Sequence, residues 1–517
     1  MFDEPRAATI EECSAAQRTS RSRPGDLMRI LLVYPQNPKA FWSFEHSLPF
    51  VSKKAAFQPL GLLTLAAMLP PDWEFKLIDM NVERLRDEHI TWADYVMVSA
   101  MIIHKHGVHE IAKRCASHAK PVIAGGPLFT TGHAGFPEIQ HFALGEVESV
   151  VAELVADLER GTLKHIYNGN DKPAITSVPA PRWDLIDMSH YVTMSVQFSR
   201  GCPYDCEFCD IIVMNGRVPR TKAPEQFVAE LESLRLAGWN EMVFIVDDNF
   251  IGNKKCTKAL LRAIIDWRER VQTEMAFITE ATVNLADDDE MLELMTRAGF
   301  KKVFLGIETP SIESLKECHK LQNTRRDLVA SVKTIQNAGM EVMAGFIVGF
   351  DNDQDDIFHR QFEFIQRSGV VTAMVGLLTA LPETALYKRL MREGRIEAEA
   401  TGNNTDAVLN FTPKLNREFL VNGYRELMNR LYEPKVYYQR VRTFLDNHRP
   451  SGPKLSLTLT DIKALLRSIW MLGFRHRGRL AYWRLFVGTL LKRPSKFHNA
   501  IELSIVGFHF RRVANSL

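Results

Sequence analysis

Two series of short β-rich runs, each run followed by a helical pattern, occupy most of this 517-residue chain. Strand–helix alternation commits a chain to parallel sheets, because parallel neighbours need a crossover that a helix supplies. In residues 28–160 the runs are "RILLVY" (29–34), "EFKLID" (74–79), "YVMVSA" (95–100) and "PVIAGG" (121–126). "PLGLLTLAAML" (59–69), "GVHEIAKRCASH" and "GEVESVVAELVADLER" (145–160) read as helices between or after them. This predicts a doubly wound parallel sheet with its ligand at the C-terminal strand ends. Residues 161–192, with Pro173, Pro179 and Pro181, read as a linker. The second series, 193–395, has strands at 193–199, 241–247, 275–283, 302–308, 341–350 and 371–378. Six βα units of this kind predict a partial (β/α)6 TIM-type barrel, with its chemistry at the C-terminal strand ends. Strand signals then stop, and 396–517 reads as a helical extension broken at Gly452/Pro453, Gly473 and Pro494.

A chain this long exceeds one core and fits several domains. A hydrophobic content of 46% with 24% charge reads as globular, and a net charge of +2 exerts no overall pull on nucleic acid. Residues 1–27 lack a signal-peptide core and read as a mobile tail. No run of about 18 apolar residues offers a bilayer span. A cytoplasmic location follows, in which cysteines serve metals or catalysis rather than disulfides.

Three of the seven cysteines cluster in "SRGCPYDCEFCD", Ser199 to Asp210, directly after the first strand of the second series. A structural zinc site would need a fourth Cys or His at ligand spacing. The histidines on either side are as distant as His190 and His319. Thiolate-rich sites also hold iron–sulfur clusters, and three cysteines leave one iron of a 4Fe–4S cluster open.

Cys202-x-x-x-Cys206-x-Phe208-Cys209 in this barrel context resembles the signature of radical S-adenosylmethionine (SAM) enzymes. The resemblance implies that SAM chelates the open iron and is cleaved to methionine and a 5′-deoxyadenosyl radical. Other positions carry over from the same likeness. "VDDNF", with Asp247, Asp248 and Asn249, resembles the strand end that contacts the SAM amino group. Glu308 in "GIETP" resembles the carboxylate that holds the ribose, and Glu280 in "TEATV" is a third candidate for SAM contacts. Gly345 and Gly349 leave room for a close backbone approach beside adenine.

A nicotinamide dinucleotide would call for G-x-G-x-x-G after the first strand, and "QNPKAFWSFEHSL" has no such glycines. The first domain instead resembles the cobalamin-binding domain of cobalamin-dependent radical SAM enzymes. The likeness lies in "MRILLVYP", "FQPLGLLTLAAML", Ser99-Ala100-Met101 and "AGGP". It implies that Ser99, Gly125 and Gly126 line the slot for the cobalamin tail. "IIHKHG" keeps part of the cobalt-ligating D-x-H-x-x-G loop, with Ile102 at the aspartate position. Cobalt without a histidine below it is the expectation, and coordination by His104 is the alternative. "FWSFEHSLPFVSKKAAFQPLGLLTLAAMLPPDW" and "FHFRRV" are similar to the subfamily of hopanoid 2-methylases, which has a helical C-terminal extension.

Residues 451–517 hold twelve Lys/Arg against two acids, with aromatics interleaved. That pattern suits either a helical cap on the barrel or contact with the inner face of an anionic membrane. The implied activity is methylation of an unactivated carbon of a small molecule or a lipid such as a hopanoid. An external electron donor such as flavodoxin or ferredoxin would reduce the cluster. The rivals are an oxidative cyclase or rearrangement enzyme on the same cofactors, and a non-catalytic cobalamin or iron–sulfur sensor.

Overall fold

Runs that are apolar at successive positions make stable strands only when both faces of the sheet are covered. In the computed structural model, which describes residues 27–452 and 458–517, both strand series are satisfied in this way. Apart from Leu27, the expected tail lies outside the described residues.

The first sheet is wholly parallel, in the order β2-β1-β3-β4-β5-β6. Its strands are β1 (Arg29–Tyr34), β2 (Glu74–Asp79), β3 (Tyr95–Ser99), β4 (Val122–Gly125), β5 (His141–Gly145) and β6 (Ile166–Gly169). The last two were not expected. β6 falls inside the stretch read as a linker, where a four-residue strand at a sheet edge needs no long apolar run. One face of the sheet, with Leu31, Val33, Val96 and Val98, closes its own core under helices such as Lys105–Ser117. The other face, with Ile30, Leu32, Met97 and Ile123, belongs to a core continuous with the barrel and the C-terminal helices.

The barrel strands are β7 (Met194–Val196), β10 (Met242–Ile245), β11 (Ala276–Ala281), β12 (Phe300–Glu308), β13 (Glu341–Val348) and β14 (Ala373–Leu377), paired in the order β14-β13-β12-β11-β10-β7. Between β7 and β10 a two-residue antiparallel pair, β8 (Ser199–Arg200) with β9 (Arg220–Thr221), clasps the cysteine loop. Alternation separates the two faces of the sheet. Val303, Leu305 and Ile307 of β12 and Val342, Ala344 and Val348 of β13 are 0% exposed beneath the outer helices. The opposite parity, including Phe304, Gly306, Gly345 and Ile347, is partly accessible and therefore lines a lumen.

An incomplete barrel leaves an open seam between β7 and β14. On the β7 side, residues 41–58 of the first domain cover it. Ala55 bridges in parallel to Tyr191, and Gln58 exchanges two 2.8 Å hydrogen bonds with the Ser195 backbone. Trp42 enters there and stacks on Phe244 at 6.2 Å, with Phe304 at 5.3 Å. On the β14 side, Tyr432 donates to the Ala373 carbonyl, and Asn404 lies against Gly376. The two covers meet where Asn403 Nδ2 and Thr405 Oγ1 donate to the Lys39 carbonyl.

The helix Phe497–Ala514 is largely core, with Phe510 stacked between Phe41 and Tyr432. Its Glu502, with Glu341, pairs with Lys302 at the N-terminal end of the lumen. The extension is helical as expected, but Gly473 sits inside a π-helical segment, Ile469–Arg475, and the chain breaks instead around Gly478. Pro453 lies outside the described residues.

The seam makes the Gln58 clamp measurable. Gln58→Leu removes both partners from buried Ser195 backbone groups and should cost about 2–4 kcal/mol. A urea-unfolding midpoint that does not fall would show that the seam closes without it.

Candidate functional site

The cysteine loop is held from three directions. Gly201 sits at φ 99°, and a Cβ there would lie 3.0 Å from the carbonyl oxygens of Gly216 and Val218. Asp248 Oδ2 accepts from Gly201 N at 2.7 Å and from Asn215 Nδ2 at 2.9 Å. Arg200 reaches Glu146 at 2.8 Å and Glu148 at 2.7 Å, and Arg220 also bonds Glu146. These bonds tie the loop to the end of β5. At the far side Glu207 forms a bidentate pair with Arg389, at 2.6 and 3.0 Å.

Within the loop Cys206 is buried, while Cys202 and Cys209 are partly so. Burial pushes all three thiols up, so as thiolates they need positive charge beside them. Lys320 supplies some of it, acting on each thiol. Asn249 Nδ2 points at Cys202 Sγ, 3.9 Å away. Among the described residues no three His, Cys, Asp or Glu side chains converge on a single ion. A cluster that takes one thiolate per iron does not require such convergence. Its donor set, three thiols with no histidine and a buried ammonium nearby, fits iron–sulfur better than zinc. Phe208 is half-buried, with its ring 6.2 Å from Phe350.

Above the cysteines lies a crescent of carboxylates. Asp247 is consumed by the fold: it accepts from Phe198 N at 2.8 Å and Ser199 Oγ at 2.6 Å, and burial pushes it up to about 7. Asp248 is shared between the loop and the lumen. Burial, then Asp248 and Glu308, push Glu280 up to about 7. Glu308 stands at φ 65°, beyond a bulge at Gly306/Glu308. A non-glycine residue held there is a common mark of a functional site. The turn folds its carboxylate back over Gly306, where Oε1 meets Lys320 Nζ at 2.7 Å. A Cβ on Gly306 would strike that carboxylate and the ammonium. Burial works against the charge of Lys320, but Glu308 and Cys206 hold its pKa above the ordinary lysine value. No motif announces Lys320 or Glu146; only the fold brings them to the site. Cys318 also comes near Cys206, but its thiol turns to the Leu315 carbonyl at 3.7 Å.

On the first sheet, Ser99, Gly125 and Gly126 meet at the C-terminal ends of β3 and β4. Gly126 has φ 96°, and a Cβ there would come 3.0 Å from Ser99 Oγ and from the Ala100 carbonyl. Gly61 faces Ser99 across the gap, where a Cβ on the glycine would lie 3.9 Å from the hydroxyl. This narrow cradle of small groups fits an extended polar tail. Beside it Met101 is 41% exposed, and Ile102 and Ile103 lie against Gly402 of the seam cover. His104 is fully committed. Its Nε2 pairs with Asn37 Oδ1 at 2.7 Å, and its Nδ1 accepts from Met101 N at 3.1 Å. Burial lowers it to about 4, so it is neutral with no lone pair free for cobalt. The alternative of a histidine-ligated cobalt therefore finds no support in this arrangement.

Lys320→Met would leave Glu308 buried without its partner, a loss of about 3–5 kcal/mol. The double variant Lys320→Met/Glu308→Leu should recover most of it. Equal instability of single and double variants, measured by chemical unfolding, would contradict the pairing.

A model described as the radical SAM superfamily matches residues 196–365, and one described as a domain of unknown function (DUF4070) matches 384–517. An uncharacterized methyltransferase of Synechocystis sp. is 42% identical, covering 93% of this chain and 91% of its own. The hopanoid C-2 methylase of Rhodopseudomonas palustris is 34% identical, covering 93% and 92%. Among solved structures, the cobalamin-dependent SAM radical enzyme OxsB, with aqua-cobalamin and SAM bound, aligns at TM-score 0.63 and 14% identity, over 95% of this chain and 80% of that one. The radical SAM methyltransferase TsrM of Kitasatospora setae, with cobalamin and a [4Fe-4S] cluster, aligns at 0.58 and 14%, over 95% and 100%. These last two establish likeness of fold.

Proposed function

This chain belongs to the cobalamin-dependent radical SAM methyltransferase family, and from that premise we propose that it methylates an unactivated carbon of an apolar, lipid-like molecule such as a hopanoid. The observation that carries the substrate class is the lumen. Its middle is walled by Trp42, Phe57, Phe244, Phe304, Met343 and Met374, with charge confined to its two ends. A flat hydrocarbon gains from such walls, and a polar substrate would lose hydration there without return. The 34% identity to a hopanoid C-2 methylase supports the same class.

Cys202, Cys206 and Cys209 would hold the 4Fe–4S cluster and leave one iron to the amino-acid end of SAM. Asp248, Asn249 and Glu280 would face its cationic groups, and Glu308, held by Lys320, its ribose. Gly306 and Gly345 keep the lumen wall low beside them, and Phe208 with Phe350 forms an apolar side. Ser99, Gly125 and Gly126 would take the tail of cobalamin, with the shelf at Met101 turned toward the barrel. When bound, the reduced cluster supplies the electron that splits SAM, and cobalamin carries the methyl group. The covers wall the open side of the lumen, which would limit the access of water to the chemistry run there.

The test is anaerobic incubation with SAM labelled in its methyl group, cobalamin, reduced flavodoxin or ferredoxin, and lipid extract. A product heavier by the labelled methyl supports the reading. An unlabelled product that has lost hydrogen moves the chain to the oxidative rival, and absence of SAM cleavage moves it to the sensor.

Cys202→Ala, Cys206→Ala and Cys209→Ala should each abolish iron retention, whereas Cys318→Ala should keep it. Iron loss in Cys318→Ala would add a ligand that the hydrogen bonding does not suggest. Glu280 yields a pH signature. Its folded pKa, about 7, exceeds that of an exposed glutamate, so without ligand stability falls as pH rises between the two values. A bound cation favours the ionised form and expels the proton. SAM affinity should therefore rise from about pH 6 to about pH 8, by up to roughly tenfold, and Glu280→Gln should flatten the profile. An unchanged profile in that variant would remove Glu280 from the SAM site.

A further inference from the structure

We propose that residues 459–492 form an amphipathic helical hairpin by which the protein lies on an anionic lipid bilayer. The first arm runs from Leu459 through the helix to Ser468 and the π-helical segment to Arg475; the second is the helix Arg479–Lys492. Each arm is apolar on two opposite faces. In the first, Ala464, Ser468 and Leu472 turn inward and are buried. On its other side Leu459, Ile462, Leu466, Trp470 and Phe474, three or four residues apart, form one outward stripe that is 50–76% exposed. In the second, Tyr482, Leu485 and Thr489 are buried, while Leu480, Val487 and Leu491 face out at 46–76%. The inward faces account for how the hairpin docks, and the outward ones are left to an external apolar phase.

The hairpin is rigidly mounted. Arg467 bonds the Pro49 and Phe50 carbonyls, Ser468 Oγ meets Tyr482 OH at 2.9 Å, and Trp483 donates to the Gly473 carbonyl at 3.0 Å. Phe474 touches Trp483 at 6.0 Å, so aromatic surface joins the two arms.

Charge identifies the phase. Residues 459–496 hold nine Lys/Arg and a single acid, Asp461, which is spent capping its helix through Thr458. Lys463, Arg475, Arg477, Arg479, Arg484 and Lys492 are all exposed. A cleft of about 510 Å³ beside the hairpin is lined by Arg475, Arg477 and Arg511, with Glu433 as its one acid. A second copy of this chain would set like charges face to face, whereas a bilayer bearing acidic headgroups receives both the cations and the stripe. Among the described residues no helix is long and apolar enough to cross a membrane, so the hairpin rests in the interface plane. This holds whatever reaction the lumen runs.

The test is flotation of the full chain with phosphatidylcholine vesicles, with and without phosphatidylglycerol. Binding should require the anionic lipid and weaken as salt is raised. Lys463→Gln/Arg479→Gln should weaken it by about tenfold or more, from roughly 1 kcal/mol per charge. Leu466→Asp/Trp470→Asp should abolish it, with circular dichroism unchanged because both side chains are exposed. Trp470→Phe should keep binding but remove the blue shift of tryptophan emission on vesicles. No binding to anionic vesicles, or equal binding by the Asp variant, overturns the proposal. So does a wild-type dimer in gel filtration that the Asp variant dissociates, which would assign the stripe to a contact between copies.

Discussion

The six parallel strands of the barrel do not close on themselves, and the rest of the molecule follows from that constraint. Unpaired edges at β7 and β14 leave backbone groups and apolar side chains uncovered, which a folded chain must satisfy. Here residues 39–58 cover one edge and residues 403–432 the other, and the two covers touch where Asn403 and Thr405 donate to the Lys39 carbonyl. Because the first cover is an excursion from the first sheet, closing the barrel also fixes that sheet against it. The loop after β3 is thereby held against the β14-side cover, with Ile102 and Ile103 on Gly402. On the proposed reading this packing would hold two cofactors around one chamber, as a reaction between their bound groups demands.

Electrostatics divides that chamber by depth. At the N-terminal end a single ammonium, Lys302, faces two carboxylates, Glu341 and Glu502, and burial pushes the Glu341 carboxyl up toward its neutral form. At the opposite end Asp248, Glu280 and Glu308 outnumber Lys320, and burial, then the charges of Asp248 and Glu308, push Glu280 up to about 7. A cationic ligand relieves that repulsion. Between the two ends the walls are aromatic and aliphatic. On the proposed reading the chamber would take cations at its rim and hydrocarbon in its middle.

Much of this was legible in the sequence because fully covered parallel strands write continuous apolar runs. All six barrel strands and four of the first six announce themselves that way. The short β5 and β6, "HFALG" and "IYNG", do not: β6 is an edge strand that needs little apolar cover, and β5 offers only three apolar residues between His141 and Gly145. The cysteine spacing was explicit because its ligands come from one loop. Glu146 was hidden because its partners Arg200 and Arg220 lie 54 and 74 residues away. Lys320 was hidden because its role depends on a backbone turn at Glu308 that no residue type encodes. The tail's sequence fits either a cap or a membrane surface; its last helix is a cap, while the hairpin before it keeps an outward apolar stripe.

The measurement that bears most directly on the two-cofactor chamber is a stoichiometric one. The chain is purified without oxygen, with iron, sulfide and cobalamin supplied, and is then given SAM and a reductant. Iron with sulfide, tightly held cobalamin, and 5′-deoxyadenosine are expected from the same preparation. A preparation that holds zinc in place of iron, or an iron–sulfur cluster without cobalamin, would contradict a chamber built for both cofactors.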